Sequence, residues 1–117
     1  MTTDEDDHDE GPSGLPDGLR HVRTTDELTA VTTPPGLRQA HRLATGVWGV
    51  LRVRAGQVAF TFEEDGPHGP AGTTAVLAGG HQVIPPDTPH HVEPDADARF
   101  VIEFHRPADE GPGAPAR

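Results

Sequence analysis

Three residues of this chain pair a chemically able side chain with a strand-like, apolar setting: His41, His90 and Glu103. His41 lies between Gln39 and Leu43. His90 shares its face with Val92, and Glu103 lies between Val101 and His105 in a strand whose other face carries Phe100 and Phe104. A carboxylate buried alone is costly, so Glu103 must be paired, solvated or bound to a metal. Neutral imidazole nitrogens and a carboxylate suit Zn, Ni, Fe or Mn. With no cysteine in the chain, thiolate sites and a cysteine nucleophile are excluded. The expected metal ligands are therefore His41, His90 and Glu103, with Gln39, Trp48 and His105 lining the same pocket. The competing reading has two hydrogen-bonded histidines in a pocket and Glu103 paired with an arginine such as Arg99. His91 is expected to point away from His90 and be exposed. His21, His68 and His81 are expected at the surface.

The stretch that must position His90 is Val83 to Val92. Pro85, Pro86 and Pro89 cannot donate to a β ladder and fix a stiff, non-helical crossing between strands. On the other side, Pro34-Pro35-Gly36 marks a break, and Leu37 to Leu43 alternates in a period of two that predicts a strand carrying His41. Further strands are predicted at Val47 to Arg54, Val58 to Glu64, Thr73 to Leu77, His81 to Ile84, His90 to Glu93 and Ala98 to His105. Ala55-Gly56-Gln57 is predicted as a tight hairpin and Ala78-Gly79-Gly80 as a turn. Leu19 to Val31 reads as a short edge strand followed by a turn or one helical turn. About eight short strands without a convincing helix predict an all-β sandwich or small barrel.

The chain has 117 residues and a net charge of -10, enough for one core and of the wrong sign for nucleic acid. Residues 1–18 form an acidic segment, with Asp4, Glu5, Asp6, Asp7, Asp9 and Glu10, too poor in apolar residues to order by burial. The folded domain is expected over residues 19–106, followed by a Pro/Gly/Ala-rich flexible tail over residues 107–117. No apolar run approaches the ~20 residues that cross a bilayer, and the acidic start is no secretory signal, so no membrane partner and a cytoplasmic location are expected. No phosphate loop or dinucleotide fingerprint is present, and no nucleotide cofactor is expected.

Gly80, Pro85, Asp87, His90 and Pro94 together resemble the second conserved motif of cupins, and Val50 to Val58 resembles the end of the first. Leu43, Thr45 and Gly49 stand roughly where that first motif places its His-x-His and glutamate. A closer resemblance is to the small family similar to the N-terminal domain of tellurite-resistance protein B, which includes free-standing cupin-like proteins of about this length. It rests on His41, then Gly46-Val47-Trp48-Gly49, the segment Leu51 to Val58, then Pro86-Asp87-Thr88-Pro89-His90-His91-Val92-Glu93, and the strand Phe100 to Phe104. Pro89 replaces the usual tryptophan before the histidine. The resemblance implies a cupin-like double-stranded β-helix (a small jelly-roll barrel) with His41 and His90 as ligands or pocket residues. It carries Glu103 less firmly. Nothing in the sequence matches the methyltransferase that follows this domain in tellurite-resistance protein B.

The function expected is binding or sensing of a small-molecule or oxyanion ligand, with a divalent metal and a link to stress response. Two alternatives stay open. One is a metal-dependent oxygenase, isomerase or hydrolase on the same barrel. The other is a non-catalytic interaction module pairing through an apolar face such as Phe100, Ile102 and Phe104. A homodimer is expected under each.

Overall fold

The computed structural model describes residues 14–66 and 69–108. The acidic segment up to Ser13, His68 and the last nine residues fall outside them. Eight strands form among the described residues: β1 (Leu19–Thr24), β2 (Leu28–Thr29), β3 (Trp48–Ala55), β4 (Gln57–Phe62), β5 (Gly72–Leu77), β6 (His81–Ile84), β7 (His90–Pro94) and β8 (Arg99–Pro107). All pairings between them are antiparallel. One sheet has the order β1-β8-β3-β6, with β2 also paired to β8, and the other has the order β5-β4-β7. No described helix is long and apolar enough to cross a membrane.

Alternation along each strand supplies the core. Leu51, Val53, Phe100 and Ile102 from the first sheet meet Val58, Phe60, Val76 and Val92 from the second, closed by Ile84 and Ala98. Period two sends these side chains to one face of each sheet. The chain crosses from sheet to sheet after β3, β5, β6 and β7, which makes the sandwich a jelly roll of the double-stranded β-helix type.

Those crossings revise the expected hairpin. Ala55-Gly56-Gln57 does not join two paired strands, because β3 pairs with β6 and β8 while β4 pairs with β5 and β7. It is a corner between sheets. Gly56 has φ of 65°, and a Cβ there would stand 2.8 Å from the backbone of Ala98 and Asp97. The corner after β5 is stitched to it by Ala78 N–H to the Gly56 carbonyl (3.1 Å) and Gly79 N–H to the Val53 carbonyl (2.8 Å). With this end closed, the strand ends Trp48, Phe62, Ile84, His90 and Phe104 lie together at the other.

The predicted strand Leu37 to Leu43 does not form. Pro35–Arg38 is a single 3-10 turn, η1, and only His41 makes a β-bridge. Pro35 occupies the first helical position, where its missing N–H is no loss, and the Leu37 N–H bonds the Pro34 carbonyl at 3.0 Å. Leu37 and Leu43 still pack against the core, so the alternating pattern marked burial without marking a ladder. The proposed interface face is also corrected. Phe100 and Ile102 are buried core residues and Phe104 packs against them, so this face of β8 points inward and cannot pair with a partner.

Candidate functional site

The proline crossing folds His90 directly onto His41. His90 N–H bonds the His41 carbonyl at 2.8 Å, and His41 N–H bonds the His90 carbonyl at 3.0 Å. Further ties hold the two segments together. Asp87 N–H bonds the Leu43 carbonyl at 2.9 Å, and the Thr45 hydroxyl donates to the Asp87 carboxylate at 3.0 Å. Asp87 has φ of 58°, a left-handed conformation that aspartate tolerates better than most residues. Leu43 and Thr45 thus have structural work: Leu43 packs closely on Gly49, where an added Cβ would stand 3.0 Å from its Cδ1, and Thr45 fastens the loop.

The two imidazoles lie side by side, with ring centroids 4.2 Å apart and planes tilted by 56°. Each is pinned in the same way. His90 Nδ1 donates to the Thr88 carbonyl at 2.8 Å, and His41 Nδ1 donates to the Gln39 carbonyl at 3.1 Å. A carbonyl can only accept, so each Nδ1 carries a proton, and the neutral form of either ring has its lone pair on Nε2. The His90 ring also stacks on Phe60, with centroids 5.3 Å apart and planes 18° from parallel. Burial, more than any other influence, lowers the His90 pKa to about 4; neighbouring His41 and His91 add to the fall, and the Thr88 bond and Glu63 oppose it. The ring is therefore a neutral nitrogen donor at pH 7.

A cavity of about 510 Å³ lies on the same proline crossing, lined by neither histidine. Trp48, Phe62, Val83, Pro85 and Pro86 give it apolar walls, and Gln82 and Thr88 supply its polar side chains. Gln82 and Val83 are adjacent on β6 and point to opposite sides, so the cavity wraps the free edge of that strand. Thr88 links cavity and histidines: its carbonyl fixes His90, and its hydroxyl donates to the Pro86 carbonyl at 2.9 Å.

Glu103 is not brought to this pair. Its neighbours Ile102 and Phe104 face the core, so the alternation of β8 turns Glu103 to the opposite face. There it accepts from Arg52 Nε at 2.5 Å and pairs with His105 Nε2 at 3.3 Å. Burial works to raise its pKa, but the bonds from Arg52 and His105 outweigh it and hold the carboxyl below its usual range. Arg99 instead reaches Glu27 at 3.2 Å. His105 is buried on this same face, edge-on to His21 at 5.4 Å, and does not line the cavity. Gln39 contributes its carbonyl alone, its side chain being exposed. His91 does point away from His90, but it is half-buried and bonded to Glu63. Among the described residues no cluster of three or more His, Asp or Glu side chains could hold a metal ion. The pair supplies two imidazoles, one side chain short of the three-ligand set the sequence suggests.

Phe60, Phe62, Thr88 and the two prolines escaped selection from the sequence as site residues. Phe60 and Phe62 read as plain core alternation, and a backbone carbonyl leaves no trace in residue type.

Comparison with known proteins agrees with this architecture. A protein from E. coli strain K12 superposes with a TM-score of 0.69 at 28% identity, over 78% of this chain and 93% of that one. TehB from Haemophilus influenzae superposes with a TM-score of 0.69 at 21% identity, over 80% of this chain but only 33% of TehB. This chain thus corresponds to about a third of that protein's length. A search of curated proteins found no match. The family model for the TehB-like domain matches residues 23–102, a span that contains the histidine pair, the proline crossing and strands β2 to β7. The chain therefore belongs to the TehB-like domain family and has a cupin-like fold.

Proposed function

We propose that this domain binds a small molecule in the cavity at the open end of the sandwich, with the Nε2 atoms of His41 and His90 available to it or to a divalent metal held alongside. The observation that carries this reading is the matched pinning of two adjacent imidazoles through Nδ1, which leaves both Nε2 atoms without a donor among the described residues. Pre-set orientation of this kind is what a recognition or metal site requires, since the rings lose little freedom on binding. The apolar walls favour a ligand with a hydrophobic body. A cytoplasmic binding or sensing role in stress fits this reading, as does assembly into a homodimer.

The test is elemental analysis of protein purified without a polyhistidine tag, followed by calorimetric titration with Zn, Ni, Fe(II) and Mn. Saturable binding of one ion, lost in both His90→Ala and His41→Ala and kept in Glu103→Gln, is the expected result. No binding of any ion would remove the metal. If a library of small apolar compounds also failed to alter Trp48 fluorescence, the binding reading itself would fall.

A further inference from the structure

The second sheet ends at β5, which pairs with β4 on one side and with no other strand among the described residues. The backbone bonds of β4 show which groups of β5 face out. Asp95 N–H bonds the Gln57 carbonyl at 3.0 Å and Glu63 N–H bonds the Pro89 carbonyl at 2.9 Å, so the odd-numbered residues of β4 turn their backbone to β7. Ala78 N–H bonds the Gly56 carbonyl, so the even-numbered ones serve β5. Gln57, Ala59 and Thr61 stand across from Leu77, Ala75 and Thr73. Those three residues of β5 therefore direct their N–H and C=O groups to the free edge, where the Leu77 carbonyl also takes the Gly80 N–H at 2.7 Å.

The other edges are guarded and this one is not. β1 carries Arg20 and Arg23 and an irregularity between His21 and Arg23. β6 has four residues and runs into Pro85 and Pro86, and Gly14 is packed near Val83, where an added Cβ would stand 3.4 Å from Cγ2. β7 is closed at one end by the bonds exchanged between His41 and His90, and Pro94 at the other has no N–H to offer. Charges, irregularities, prolines and cover are what keep sheet edges from pairing. β5 has no charge, no proline and no register shift, and all of it but Val76 is exposed. Leu77 is 57% exposed. In a chain of net charge -10, an uncharged strand is where a second copy can approach without repulsion across the ladder.

We propose that two copies of this chain pair along β5, antiparallel, about a two-fold axis through Ala75. The outward set of Thr73, Ala75 and Leu77 is symmetric about that residue. Ala75 of each copy exchanges N–H to C=O bonds with Ala75 of the other, and Thr73 of each meets Leu77 of the other. One register thus satisfies the whole edge, and the two three-stranded sheets become a single continuous one. The side chains at the axis are small, and on either side a β-branched threonine meets an exposed leucine. A foreign peptide added to an edge draws its specificity from side-chain pockets beside it, and the cavity on the proline crossing includes no residue of β5. A contact of one strand from each copy is small, so association is expected in the micromolar range. The interface is separate from the histidine pair and stands whether or not the cavity takes a ligand.

The experiment is sedimentation velocity of the full chain from about 5 µM to about 500 µM, a range that brackets association of this strength. The sedimentation coefficient should rise with concentration towards that of a dimer. Ala75→Lys and Ala75→Glu each set like charges face to face at the axis, and each should weaken the dimer roughly tenfold or more. Mixed in equal amounts, the two variants should associate again, because a two-fold through residue 75 puts the lysine opposite the glutamate. Val31→Lys, at a 92% exposed position after β2, should leave association unchanged. Ala75 is exposed, so both variants should fold, and thermal melts confirm it. Amide hydrogen exchange of the wild type, slowed at Thr73, Ala75 and Leu77 as concentration rises, reads the same edge without a substitution. A monomer at every concentration overturns the proposal and leaves the edge to a foreign strand. A dimer that both charged variants keep, or that their mixture fails to restore, overturns it too. So does slowed exchange confined to other strands, which would assign the dimer to another surface.

Discussion

Acidification should loosen this fold through His90 before it does so through the carboxylates. The ring is 2% exposed and its pKa falls from 6.5 to about 4 on folding. Between those values the unfolded chain binds the proton that the folded chain refuses, so stability rises with pH across the window. The contribution of the neutral ring is complete above about pH 6.5 and drains away as the pH falls towards 4. Integrated from pH 7 to pH 5, the loss is about 1.8 kcal/mol. Urea unfolding in the presence of a chelator, at pH 7, 6 and 5, would read this as a midpoint lowered by roughly 1 M. The reference is His90→Asn, whose amide can still donate to the Thr88 carbonyl but does not titrate. Other titrations are common to both proteins and cancel in the difference. Glu103 has a lowered pKa, so its stabilisation is kept above the usual carboxylate range and is lost only as pH falls through its folded value, largely below this window. The gap between wild type and variant should shrink as pH falls. A gap that stays constant from pH 7 to pH 5 would refute the argument that burial holds this ring neutral.

Other perturbations separate the two faces of β8. Glu103→Gln should cost about 1 kcal/mol, with most of the loss absent in an Arg52→Met background, because the pair is only partly buried; a double-mutant cycle by urea unfolding measures the coupling. Phe104→Asp should lower stability by about 2–3 kcal/mol without changing the sedimentation coefficient of the folded protein, since the ring packs against the core. Gly56→Ala should cost at least about 2 kcal/mol by the same assay, because φ is positive and the added Cβ meets backbone that cannot give way.

Much of this arrangement was legible in the residues. The six strands expected between Val47 and His105 appear within a residue or two of expectation, because half-burial forces alternation whatever the strand pairs with, while Leu28–Thr29, expected in a turn or helical turn, is a short strand. The same logic misread Leu37 to Leu43. Leu37 and Leu43 are both partly buried against the core, but two prolines tightened the chain into a 3-10 turn before any ladder could start. Pairing was less visible than periodicity. Ala55-Gly56-Gln57 has the composition of a hairpin, and only the second sheet's claim on β4 makes it a corner. For the site, burial of His90 followed from Val92, while the fate of Glu103 depended on which face of β8 met the core. Phe100 and Phe104 on one face pointed to the answer, and a ladder partner such as Arg52, 51 residues away in sequence, could not be read from spacing.

The crossing between β6 and β7 explains why the histidine pair sits where it does. Three prolines make the loop stiff, and Thr88 lies between two of them with its carbonyl turned towards His90. That carbonyl takes the proton of His90 Nδ1, and the ring is then held by its own loop, by Phe60 beneath it and by His41 beside it. Burial forbids the charged form, and the Nδ1 bond selects the tautomer. Together they leave one available atom, Nε2, in a known state at neutral pH. His41 is pinned through Nδ1 in the same way by the Gln39 carbonyl, although η1 and not a strand delivers it. Two unrelated local solutions to one requirement, an imidazole pinned through Nδ1 with its outer nitrogen bare, are more than packing demands. Phenylalanine or leucine would fill the same volume without leaving acceptors to satisfy, and it is this surplus of polar capacity that separates a site from a core.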